Sequence, residues 1–273
     1  MNTGSRTNRR AIVACLAFLV VAGCSQSGPS TEAEKLARGR ELVKSMCDKL
    51  ASAQTLSFTA KEVTDKVRRD GQKTTLEQTR DVVIRRPDRF YGKHTGDRST
   101  ETWYDGKHIT VVMHQDKVFG QARSPETIDA TLDVLSKRFG VILPIGDLLY
   151  SQPDKLLLAD DMTGGYQGRE KVDGTDCHHL RFIAPAVDWE LWLPEQGDPL
   201  PKRLKVVQKK ERGEPVSDIF FTNWNLSASV SDETFNPKVP QDYEGIAILQ
   251  RASSLPKEND SSRSQTAAPA TKK

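Results

Sequence analysis

The sequence predicts a mainly β fold of the α+β kind: a curved antiparallel sheet or open β-barrel of about 10–11 strands, with helices covering the concave face. Three observations predict it. Alternating apolar and polar residues recur in short runs along most of the chain. Turn signals such as Asp105-Gly106, Asp173-Gly174 and Gly197-Asp198-Pro199 separate those runs. Only two longer stretches carry helical periodicity, one before the strands and one between two sets of about five strands each.

The first helix is read from TEAEKLARGRELVKSMCDKLASAQ. Thr31 and Glu34 form a capping-box signature, and Leu36, Val43, Met46, Cys47 and Leu50 share one face, with Gly39 as a weak point. From Leu56 the period becomes two. LSFTAKEVTDKV, TTLEQTRDVVIRR, RFYGKHTG, STETWYD and KHITVVMHQ read as strands, with Ile109, Val111 and Met113 on one face and Val112 and His114 on the other. SPETIDATLDVLSKRFG interrupts them as a helix. Ser124 is its expected cap, Pro125 its first residue and Gly140 its stop, and Ile128, Leu132, Leu135 and Phe139 form its stripe. LPIGDLLYSQPDKLLL continues in short helical pieces with leucines expected to be exposed. MTGGYQGREKV, DCHHLRFIA, VDWELWLP, PKRLKVVQKK and PVSDIFFTNWNL complete the sheet. Closing a wide sheet around helices leaves room for an apolar cavity.

The N-terminus sets the expected compartment. Arg6, Arg9 and Arg10 precede the apolar run from Ala11 to Ala22, too short for the roughly 20 residues of a membrane span but suited to a secretory signal. Val21-Ala22-Gly23-Cys24 resembles the bacterial lipobox, which implies cleavage before Cys24, a diacylglycerol on its sulfur and an acyl chain such as palmitate on its new N-terminus. Several acyl chains anchor a protein stably without a spanning helix. Ser25, rather than Asp, favours the outer membrane, facing the periplasm; in a cell with one membrane the anchor would lie there. The expected organisation is a signal at 1–23, a tether at 24–30, one domain at 31–250 and a disordered tail at 251–273, which lacks apolar content.

Losing three of the 40 Lys and Arg with the signal leaves 37 basic against 37 acidic residues. Setting aside the tail leaves the body slightly acidic, so it has no electrostatic footprint for nucleic acid. Processing also leaves Cys47 and Cys177 as the one pair that a disulfide could join, if geometry permits.

Chemistry-bearing candidates are few. In GTDCHHLRF, strand alternation puts Cys177, His179 and Arg181 on one face and His178, Leu180 and Phe182 on the other. Adjacent Cys-His-His on a regular strand does not converge on a metal, and no short C-x-x-C or H-x-x-x-H spacing supplies partners. Cys177 and His179 share a face, but spacing alone does not make a nucleophile dyad. Asp188 and Glu190 share a face opposite Trp189, Leu191 and Leu193, which reads as a solvated face rather than acid–base machinery. No catalytic residue, metal or cofactor is expected, and the chain reads as a non-enzyme. The candidates for a ligand cavity are Phe58, Val82, Ile84, Trp103, Ile109, Val111, Met113, Phe182, Trp189 and Leu191, although such side chains often just fill a core.

RRPDRFYG, TWYDGKHITV, TIDATLDVLSKRFGVILPIGDLLY, YQGREKVDGTDCHHLRF, VDWELWL and DPLPKRLKVV together resemble a family of predicted periplasmic bacterial proteins of unknown function, in order, from about Glu34 to Gln250. That resemblance implies the fold of the LolA and LolB lipoprotein carriers, open barrels lidded by helices that hold acyl chains in an apolar cavity. It implies a lipid, a lipidated protein or another hydrophobic ligand as partner. The alternative from another class is a structural or interaction lipoprotein with a filled core.

Overall fold

The computed structural model describes Met1 and residues 28–68, 70–97, 99–139 and 144–248. The expected signal, the lipobox with Cys24, the Gly140 stop and the tail lie outside these residues.

Helix α1 (Glu32–Ser52) starts as the sequence predicts. Thr31 Oγ1 accepts from the Glu34 amide, and the Glu34 carboxylate accepts from the Thr31 amide in return. These backbone bonds, with those from Ser30, hold the Glu34 carboxyl down at about 2. Its buried face is Gly39, Val43, Met46, Cys47 and Leu50.

Six strands follow: β1 (Thr55–Val67), β2 (Lys73–Arg85), β3 (Arg89–Gly96), β4 (Thr100–Tyr104), β5 (His108–Met113) and β6 (Val118–Arg123). Helix α2 (Ile128–Phe139) begins later than expected, because Thr127, not Ser124, caps it by accepting from the Ala130 amide. Ser124 instead bonds the Thr131 hydroxyl from the preceding loop. A 3₁₀ turn at Gly146–Leu149 and the short helix α3 (Asp154–Leu157) come next. Here the expected exposure of the leucines fails: Leu148 and Leu149 are buried, and among the described leucines of this stretch only Leu156 is exposed.

Strands β7 (Thr163–Val172), β8 (Thr175–Ile183), β9 (Val187–Pro194), β10 (Arg203–Gln208) and β11 (Val216–Asn225) form the second half, and β12 (Glu244–Ile246) ends the sheet. The order is β12-β6-β5-β4-β3-β2-β1-β11-β10-β9-β8-β7. Every pairing is antiparallel except β12 with β6, a parallel pair in a sheet expected to be all antiparallel. With β12 and β7 as its two edges, the sheet is open and does not close into a barrel.

The helices lie on the inner face, and the main core forms between them and the sheet. Helix α1 packs on β7. A Cβ on Gly39 would lie 2.8 Å from the Gly165 Cα and 3.0 Å from the Phe182 ring, so Gly39 is a contact that a side chain would break rather than a weak point. Opposite it, Gly165 has φ +127° and lies under the Lys35 carbonyl.

Residues 227–243 run along the outer face of the first half of the sheet as a strap that leads into β12. Arg85 bonds the Val230 carbonyl and the Asp232 carboxylate, with its guanidinium over the buried Phe235 ring. Farther along, the Tyr243 hydroxyl meets His114 Nδ1 at 3.0 Å. His114 Nε2 meets Glu101 at 3.2 Å, and Glu101 accepts from Tyr91. The first half of the sheet is therefore covered on both faces.

Candidate ligand cavity

Sheet register builds the cavity floor. Three rungs cross β2 to β5 on the inner face: Ile84–Phe90–Tyr104–Ile109, then Val82–Gly92–Thr102–Val111, then Arg80–His94–Thr100–Met113. The middle rung carries small side chains. Without a Cβ on Gly92, the Phe90 ring leans into its place, 2.8 Å from where that atom would be. Helix α2 roofs the floor with Ile128, Leu132 and Leu135, and Ile145 and Leu149 close the apolar end. The space between them is about 320 Å³, within the range of small-molecule pockets of about 300–1,000 Å³.

Leu132 and Leu135 also border a second space of about 360 Å³, which lies against Trp189, Leu204 and Val206 of the other half. Helix α2 thus stands between two spaces on the inner face.

The sequence candidates separate accordingly. Val82, Ile109 and Val111 line the first space and Trp189 the second. Phe58, Ile84, Phe182 and Leu191 are packed in the core, with the Phe182 and Trp189 rings stacked at 4.4 Å. Met113 is half-buried at the end of the polar rung and lines neither space. Trp103 is a correction. It pairs with Tyr91 and Thr110, so it points to the outer face, where its ring packs 5.6 Å from the Tyr91 ring.

The disulfide is a second correction. Cys47 and Cys177 are both free and buried. Cys47 belongs to the main core, whereas Cys177 belongs to a small cluster with Val172 and Trp192 on the outer face. Burial pushes the Cys47 thiol up to about 12 and raises that of Cys177, the opposite of what a nucleophile requires.

GTDCHHLRF alternates as expected. On the outer face, His179 Nε2 meets Glu190 at 2.8 Å, its Nδ1 lies 3.5 Å from Glu170, and its ring stacks on Trp192 at 4.5 Å. Asp188 pairs with Lys209. Asp188 is thus in an ion pair and Glu190 in a hydrogen-bonding contact along the sheet. Among the described residues, no group of three or more His, Cys, Asp or Glu could hold a metal ion, and no helix is long and apolar enough to cross a membrane.

One feature of the cavity was missed at the sequence level. Behind Arg80 lies Glu62, 2 % exposed, whose carboxylate accepts from Arg80 Nε at 3.0 Å, Gln78 at 2.6 Å and Thr64 at 2.7 Å. Burial alone would raise the Glu62 carboxyl, but the Arg80 charge and these bonds outweigh it and hold it below the usual carboxylate range. The available signal was a glutamate at an inward-facing position of the alternating run LSFTAKEV.

A family model described as a predicted periplasmic protein, DUF2092, matches residues 39–249. No curated protein matches the sequence. Among solved structures, an uncharacterized conserved protein from Thermus thermophilus is similar at 10 % identity and TM-score 0.45, over 77 % of this chain and 98 % of that one. Mycobacterium tuberculosis lipoprotein LppX is similar at 16 % identity and TM-score 0.43, over 70 % and 97 %. A LolA superfamily protein from Nitrosomonas europaea is similar at 12 % identity and TM-score 0.38, over 73 % and 98 %.

Proposed function

We propose that this chain, which belongs to the DUF2092 family of predicted periplasmic proteins, is a lipid-anchored binding module that holds a lipid, a lipidated segment or another hydrophobic ligand beneath α2. The observation that carries the reading is the roughly 320 Å³ space between α2 and the inner face, walled by Val82, Ile109, Val111, Leu132 and Leu135. Interiors normally pack without voids of this size, so a space lined mainly by apolar side chains fits an apolar occupant better than water. Anchoring through Cys24 would keep the open sheet at the membrane surface, and Ser25 favours the outer membrane. The two buried thiols, with pKa values raised by burial, favour binding over catalysis.

Native mass spectrometry of protein purified from membranes tests this reading. The expected result is a co-purifying apolar molecule at one per chain, released by organic solvent. Protein without such a molecule that also fails to bind a neutral apolar dye would refute it. A second reading, an envelope lipoprotein acting through its surface, draws support from the packing of Phe58, Ile84, Phe182 and Leu191 in a filled core. In-cell cross-linking to a protein partner, unchanged by a substitution that fills the cavity, would favour that alternative.

A further inference from the structure

The three floor rungs form a gradient. The first is wholly apolar or aromatic, the second is small and apolar apart from Thr102, and the third contains Arg80, His94 and Thr100. An apolar molecule alone would not need the third rung, because a polar group facing a hydrocarbon loses water without gaining a partner.

Two donors at that rung are incompletely used. Arg80 spends Nε on Glu62, and among the described residues its two Nη atoms make no hydrogen bond. With its side chain 23 % exposed, Arg80 reaches from the buried carboxylate to the cavity lining. His94 Nε2 is buried and has no hydrogen-bond partner. Its Nδ1 lies 3.4 Å from the Thr100 hydroxyl. The tautomer in which Thr100 donates to Nδ1 carries the ring proton on Nε2. Burial and the Arg80 charge keep the ring neutral, by lowering its pKa. Forked guanidinium donors beside an imidazole N–H match an acceptor-only group with two or three oxygens. Glu62 holds Arg80 from behind, with Thr64 and Gln78 also donating to its carboxylate, so the guanidinium is fixed before a ligand arrives.

We propose that the cavity takes an amphiphile with an anionic head, a carboxylate or a phosphate monoester, its chain along the Val82 and Ile84 rungs and its head on Arg80 and His94. This rests on the cavity reading above and adds the chemical class of the ligand. Glu62 is a positioning residue here, and Arg80 and His94 are the groups that touch the head.

The test compares three probes of equal chain length, dodecanoate, dodecyl phosphate and dodecan-1-ol, by displacement of N-phenyl-1-naphthylamine from the full chain. The expected result is that one or both anions bind at least about tenfold more tightly than the alcohol. The ranking of the anions identifies the head. In Glu62→Gln/Arg80→Met, which removes both charges together, the anion-to-alcohol ratio falls to near one. His94→Leu leaves the Glu62–Arg80 pair in place and lowers the ratio about threefold or more; it keeps the test decisive if the double variant does not fold. Equal binding of all three probes by the wild type overturns the head site and leaves the cavity reading standing. Failure of every probe to bind overturns both. A preference that survives in both variants overturns the assignment to Arg80 and His94.

Discussion

Removing Arg80 should cost far more than removing Glu62, and should reverse how stability responds to acid. The two partners differ in burial: Glu62 is 2 % exposed and Arg80 23 %. Arg80→Met leaves a carboxylate inside the sheet with only Thr64 and Gln78 as donors. Stranding a buried charge costs about 3–5 kcal/mol. Glu62→Gln strands a guanidinium that can turn toward the cavity mouth, and the amide keeps part of the hydrogen bonding, so its cost is about 1–2 kcal/mol. The double variant should cost less than the sum of the two, by about 2 kcal/mol of coupling. In the wild type the Glu62 carboxyl is held below its ordinary value. That stabilisation is complete above the unfolded value of about 4.3 and is lost as pH falls through the lower folded value. In Arg80→Met, burial acts without the opposing charge and the folded value rises above the unfolded one. The variant then recovers stability, relative to wild type, as pH falls from 7 toward 4. Urea denaturation followed by tryptophan fluorescence across that range measures both effects. Equal costs for the two single variants, or a constant gap between Arg80→Met and wild type from pH 7 to 4, would refute the reasoning.

Three further outcomes follow from the packing. Gly39→Ala, which would add about 1 kcal/mol to a free helix, should instead lose about 1–3 kcal/mol in urea, because the Gly165 backbone is 2.8 Å from the new atom; a gain would show that α1 does not rest on β7. Cys47 and Cys177 should both resist alkylation in the folded protein and react on unfolding, as read by peptide mass spectrometry; a disulfide-linked peptide would contradict their placement on opposite faces. His179→Ala should lower stability by about 1–2 kcal/mol through loss of the Trp192 stack and the Glu190 bond, yet leave binding of a neutral apolar probe unchanged; loss of binding would place ligand chemistry on the outer face.

The regular elements were legible because each rests on local chemistry. The Thr31–Glu34 box, the alternation in LSFTAKEV and the turn at Asp173-Gly174 all act within a few residues, and each stands where the sequence puts it. What failed depends on partners distant in sequence. Trp103 was grouped with Ile109 and Val111, but which face it occupies depends on register, Trp103 opposite Thr110, and apolar residues occupy both faces because α2 covers one and the strap the other. Beyond its one 3₁₀ turn at Asp232–Phe235, the strap has little periodicity to read, since what anchors it are bonds to distant residues such as Arg85 and His114. β6 and the parallel β12 were likewise missed: VFGQAR is short and β12 has three residues, held by its partner. Gly39 looked like a defect in a helix until Gly165 appeared beneath it. Of the candidate site, the apolar wall was legible from alternation. The polar rung was not, because Arg80, His94 and Thr100 meet only through the register of three strands.

If an apolar ligand fills the cavity, it occupies the space over Thr102, a small residue in the middle of the floor. Titration of N-phenyl-1-naphthylamine into wild type and Thr102→Phe, at matched thermal stability, measures this directly. The expected result is one site per chain in the wild type and at least about a tenfold loss of affinity when the phenyl ring fills the space. Absence of binding to the wild type, or the same affinity in both proteins, would contradict it.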